Sequence, residues 1–82
     1  MNYCYILKSL IDNSYYIGST TDINKRIKYH NSGRSRYTKT KKPWVIIYSE
    51  EFSILSEARK REKQIKSWKD RKAIERLIAT II

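Results

Sequence analysis

The sequence predicts an α+β fold in the order ββαβαα, a small three-stranded antiparallel sheet flanked by helices. Three observations carry that expectation. Two runs rich in aromatic and β-branched residues lie near the start, on either side of the turn-forming Asp12-Asn13-Ser14. A third such run, Trp44 to Ser49, stands alone further along the chain. Elsewhere, apolar residues recur at helical spacing rather than in alternation.

Taken in order, Asn2-Tyr3-Cys4-Tyr5-Ile6-Leu7-Lys8 and Tyr15-Tyr16-Ile17-Gly18-Ser19 read as the two arms of a β-hairpin. Asp22 or Thr21 caps a helix running to about Asn31, and Gly33 follows as its stop signal. Ile23, Ile27 and His30 fall at i, i+4 and i+7 and define its inward stripe. Gly33 to Pro43 is a polar loop holding Arg34, Arg36, Lys39, Lys41 and Lys42 and no acid. After the third strand, Ser53 or Ser56 caps a second helix, in which Ala58, Glu62, Ile65 and Trp68 share a helical stripe. Asp70 caps a third, whose Ile74, Leu77, Ile78 and Ile81 make an apolar face. Ile78, Ala79, Ile81 and Ile82 are apolar on more than one side, suited to packing or to a docking surface.

The chain has 82 residues, with 18 Lys and Arg against 8 Asp and Glu and a formal net charge of +10. A chain this short buries only about 60% of its unfolded surface, so the expectation is a single domain over 1–82 without a large enclosed cofactor cavity. At 40% hydrophobic and 12% aromatic it is too apolar for a disordered basic tail. The lone Cys4 excludes an internal disulfide and a multi-cysteine zinc site. No apolar run approaches transmembrane length, and the expected setting is the reducing cytoplasm. The surplus of positive charge points to a polyanion, nucleic acid first among them. Not one acid lies between Asp22 and Glu50, where Lys25, Arg26, Lys28 and the loop cations gather. Tyr37 sits among the loop cations and offers a stacking face to a base. Of the later basic cluster, Lys60, Lys63 and Lys66 read as a solvated helix face.

Three features stand apart from packing. Tyr5 and Tyr16 lie on the two hairpin arms, and a phenol can relay a proton or bond a phosphate oxygen. Tyrosine is also simply a good strand residue, and the chain has seven. Arg26 and His30 stand at i and i+4 on one helix, where guanidinium and imidazole suit charge neutralisation and proton transfer. A lone histidine at a core border is more often a structural residue. Glu62 shares the stripe of Ala58 and Ile65, where a carboxylate calls for a partner or a metal. One carboxylate completed by waters and phosphate holds Mg²⁺, while pairing with Lys66 or Arg59 serves as well.

Together these residues resemble the GIY-YIG nuclease superfamily, in particular its small bacterial branch, over nearly the whole chain. Tyr3-Cys4-Tyr5 stands where the first signature tripeptide belongs, and Tyr16-Ile17-Gly18 is an intact second one. Arg26, His30 and Glu62 follow in order and at family-like intervals, with Lys39 and Trp44 between. The resemblance implies a sheet whose first strand is central. It also implies roles. Tyr5 would be the general base toward the attacking water, and Tyr16 would orient water or phosphate. Arg26 would stabilise transition-state charge, with His30 as its polar neighbour. Glu62 would be the protein ligand of one divalent cation, Mg²⁺ or Mn²⁺, and Gly18 would permit a close approach. Nearby Lys25, Arg26 and Lys28 are expected to lower the tyrosine's pKa. The chain departs from the family in having Tyr3 and Cys4 in the first tripeptide and no asparagine after Asn31.

The expected function is therefore a metal-dependent endonuclease acting on DNA, with Lys25, Lys28, Arg34, Arg36, Tyr37, Lys39, Lys41 and Lys42 holding the nucleic acid. The alternative is a DNA- or RNA-binding module on the same fold that cleaves weakly or not at all. A separate RNA-binding class is disfavoured because no RNP-type aromatic motif is present. A membrane-surface role ranks lower still, since the basic residues are spread over several elements.

Overall fold

In a computed structural model, which describes residues 1–80, the elements are β1 (Asn2–Ser9), β2 (Tyr15–Thr20), α1 (Ile23–Asn31), β3 (Trp44–Phe52), α2 (Leu55–Ser67) and α3 (Arg71–Ala79). The strands form one antiparallel sheet in the order β2-β1-β3, so the first strand is central. That position explains its sequence. Cys4, Tyr5, Ile6 and Leu7 are all buried because β1 is covered on both faces, which replaces alternation by a continuous apolar run. Cys4 and Ile6 pack with Ile17, Tyr48, Ile65 of α2 and Ile74 of α3. Tyr5 and Leu7 pack on the opposite face with Trp44, Tyr16 and the Ile23 and Ile27 stripe of α1.

Local chemistry sets the boundaries. Asn13 takes φ 63° in the hairpin turn, a left-handed conformation that asparagine tolerates, and Asp12 Oδ1 accepts from Ser14 N. Asp22 caps α1 by accepting from Lys25 N at 3.0 Å, and Asp70 caps α3 by accepting from Lys72 N at 2.9 Å. Gly33 leaves α1 at φ 82°.

Two boundaries differ from expectation. β3 continues through Glu50 and Glu51 to Phe52, because the long central strand offers partners as far as Asn2. α2 has neither serine as its cap. Its N-cap is Ile54, with no side-chain hydrogen bond, and Glu57 supplies negative charge in its first turn. In α3, Ile74, Leu77 and Ile78 pack toward the core and Ala79 is exposed, while Ile81 and Ile82 lie outside the described residues.

The polar loop is tightly anchored. Ser9 Oγ donates to Lys41 O at 2.7 Å, and Trp44 Nε1 donates to Thr38 O at 2.9 Å. Asn31 bonds the Trp44 peptide unit twice, donating to its O and accepting from its N. The Lys42–Pro43 bond is cis. Ser35 and Thr38 are buried within the loop. No helix among the described residues is long and apolar enough to cross a membrane.

Candidate active site

The hairpin register places Tyr5 opposite Gly18 and Leu7 opposite Tyr16, so both tyrosines project from one sheet face. Their ring centroids are 6.4 Å apart. The Tyr5 ring crosses directly over Gly18. A Cβ at that position would lie 2.5 Å from the Tyr5 hydroxyl oxygen and 2.7 Å from Cζ. Glycine is the residue that allows this crossing.

Helix α1 brings Arg26 and His30 to the same point. His30 is fully buried, with Nε2 3.1 Å from Tyr5 Oη and Nδ1 3.0 Å from Thr38 Oγ1. Burial, reinforced by the neighbouring Arg26 charge, pushes its pKa down to about 4, so the ring is neutral near pH 7. The expected lowering of the Tyr5 pKa is reversed. Burial pushes the phenol up to about 12, and the opposing pull of Arg26 does not offset it. Lys25 and Lys28 are exposed, where water screens their charge. Arg26 lies over the Tyr29 ring at 4.9 Å, and its buried Nε has no hydrogen-bond partner among the described residues.

Glu62 approaches from α2, across strand β2. Its Oε1 accepts from Ser19 Oγ at 2.6 Å and its Oε2 from Lys66 Nζ at 2.6 Å. The carboxylate is not sealed in the core. It opens on a cleft of about 540 Å³ lined by Ser19, Arg59, Glu62, Lys63 and Lys66. Of the two readings of Glu62, the pairing with Lys66 is the arrangement seen, a carboxylate with a lysine partner at an open edge. The described residues contain no cluster of three or more His, Cys, Asp and Glu, which excludes a multi-ligand protein cage among them. A hard cation held by one carboxylate, with waters and phosphate completing its shell, fits this donor set. The Lys66 ammonium shows that Oε2 faces a position suited to positive charge, and the lysine side chain is half-exposed.

The basic residues divide. Lys25, Lys28 and Arg34 line one cleft of about 430 Å³ with Tyr29 and Ser32. Arg36, Lys39 and Lys42 are exposed, whereas Lys41 pairs with Asp12 at 3.2 Å. Tyr37 is 83% exposed and lines another cleft with Tyr15, Tyr16, Ile17 and Lys66. Lys66 thus borders both this cleft and that of Glu62. Lys66 pairs with the carboxylate and is more than a solvated face, while Lys63 is exposed at the rim of the same cleft and Lys60 lies in a different one beside Phe52.

A family model described as the GIY-YIG catalytic domain matches residues 1–75. The chain belongs to the GIY-YIG family. Among its relatives, a UPF0213 protein of Staphylococcus haemolyticus is 48% identical over 68 residues, 82% of each chain. A UPF0213 protein of Listeria welshimeri is 47% identical over 66 residues, covering 79% of this chain and 72% of its own. The solution NMR structure of a UPF0213 protein from Bacillus halodurans aligns with a TM-score of 0.60 at 36% identity, over 98% of this chain and 85% of that one.

On this GIY-YIG domain, Tyr5, Tyr16, Gly18, Arg26 and His30 meet on one sheet face, and Glu62 reaches the adjoining edge through Ser19. Two contributors were not singled out from the sequence. Ser19 alternates with Gly18 and so faces α2, a placement that the strand period alone contains. Thr38 sits in an irregular loop, where no period exists to signal its approach to His30.

Proposed function

We propose that this GIY-YIG domain is a metal-dependent endonuclease that hydrolyses phosphodiester bonds in DNA. The observation that carries the reading is the buried Arg26 Nε, which has no hydrogen-bond partner among the described residues, on a guanidinium that reaches the Tyr5 hydroxyl. A buried donor without an acceptor suits an incoming anionic oxygen, and a phosphate oxygen is the natural one. In this reading Arg26 binds a non-bridging oxygen and neutralises charge that grows on phosphorus. Tyr16, which lines a cleft with Tyr37 and Lys66, orients water or phosphate. Tyr5 holds the attacking water and accepts its proton. With a phenol at about 12, that role depends on positive charge brought close to the hydroxyl. Glu62 would hold a divalent cation, Mg²⁺ or Mn²⁺, which when bound supplies Lewis-acid polarisation of the phosphate and charge for the leaving oxygen. Lys25, Lys28 and the exposed loop cations bind the strand through its backbone, with little sequence preference.

The second reading, a binding module with little or no cleavage, draws on the Glu62–Lys66 ion pair, which satisfies the carboxylate without a metal. Incubation with plasmid, branched, flapped and single-stranded DNA separates the two. Nicking that needs Mg²⁺ or Mn²⁺ and stops with chelator is expected. Binding without cleavage on every substrate would support the module instead.

A further inference from the structure

Thr38 has no part in the roles assigned above, yet it is fully buried with its hydroxyl 3.0 Å from His30 Nδ1. The protons on this chain of three groups can be assigned. Tyr5 is 1% exposed, and His30 Nε2 is its hydrogen-bond partner among the described residues. Arg26, which also reaches the Tyr5 hydroxyl, carries only donors, and no hydrogen bond joins Tyr5 to the neighbouring Tyr16 among the described residues. A buried phenol proton needs an acceptor, so Tyr5 donates to Nε2 and that nitrogen is unprotonated. The neutral ring then carries its one proton on Nδ1, which donates to Thr38 Oγ1. This is the tautomer that histidine side chains in water disfavour, so something must hold it.

We infer that Thr38 is a positioning residue, whose hydroxyl accepts from His30 Nδ1 and thereby fixes the Tyr5 proton toward His30. The lone pairs of Tyr5 then face the Arg26 side, where water and phosphate would come. This rests on the nuclease reading only for its catalytic consequence, since the tautomer is a property of the free protein. The backbone around Thr38 supports the role. Thr38 O accepts from Trp44 Nε1, so the main chain that carries the hydroxyl is held in place from a second direction.

The chain has a single histidine, which makes the test direct. In ¹⁵N NMR of the free protein near pH 7, the ring should show a protonated Nδ1 and an unprotonated Nε2. Thr38→Val keeps the shape but removes the acceptor, and it should shift the ring toward the Nε2–H form. Thr38→Ser should restore the original pattern. A protonated Nε2 in the unaltered protein, or an unchanged ring in Thr38→Val, would overturn the inference. In cleavage assays, Thr38→Val should lower kcat by roughly tenfold with KM little changed, and Thr38→Ser should recover it. An equal kcat in the valine variant would also contradict it. Absence of cleavage by the unaltered protein would count against the nuclease reading and leave the NMR result to decide the role of Thr38.

Discussion

His30 joins the fold to the candidate chemistry, and its burial has a consequence for stability. An unfolded chain titrates its histidine near 6.5, whereas folding pushes the pKa down to about 4. Between those values the unfolded state binds more protons, so stability is fully present above the upper value and falls on acidification toward the lower one. The loss should reach roughly 3 kcal/mol. Urea unfolding at pH 7 and pH 4.5 would measure it, and His30→Gln, compared with itself, should lose most of that dependence. An equal pH dependence in both proteins would show that other groups cause it. The side-by-side placement of the candidate residues is legible where an element imposes a period, whereas the roles proposed for them come from the family resemblance. Arg26 and His30 follow from the helix, and Tyr5 and Tyr16 from the hairpin. The upward shift of Tyr5 was not legible, because burial depends on what α1 and the loop place over the ring.

At the scale of elements, caps and turns are legible in the sequence where a side chain makes the bond, as at Asp22 and Asp70. The start of α2 is not, because Ile54 makes no side-chain bond and leaves no signature. The end of β3 was missed for a different reason. Glu50 and Glu51 have poor strand propensity, and Glu50 is held by Arg61 at 3.0 Å and by the Tyr48 hydroxyl. Asn31 shows how one side chain can replace a ladder pair. It meets both the N–H and the C=O of Trp44 and so ties the end of α1 to the start of β3. Asn31→Ala leaves both groups to find other partners and should cost about 1–3 kcal/mol in chemical denaturation. A change within a few tenths would mean that water substitutes fully for the amide.

Across the whole molecule, the net charge of +10 is organised rather than uniform. Lys25, Lys28 and Arg34 share a cleft, Arg36, Lys39 and Lys42 are exposed, and Lys41 is compensated by Asp12. Nucleic-acid affinity should therefore fall steeply with salt. Replacing both Arg34 and Arg36 by Ala should lower the slope of log K against log salt by about 2, while Lys41→Ala should lower it by less than 1. Equal effects for all three cations would show that local pairing does not shape the binding surface. The direct measurement of the nuclease reading is cleavage by Glu62→Gln and Tyr5→Phe on the DNA that the unaltered protein cuts, with binding followed in parallel. Loss of metal-dependent cleavage in both variants, at unchanged affinity for the DNA, is the expected result. Undiminished cleavage by either variant would contradict the roles assigned to the carboxylate and the phenol.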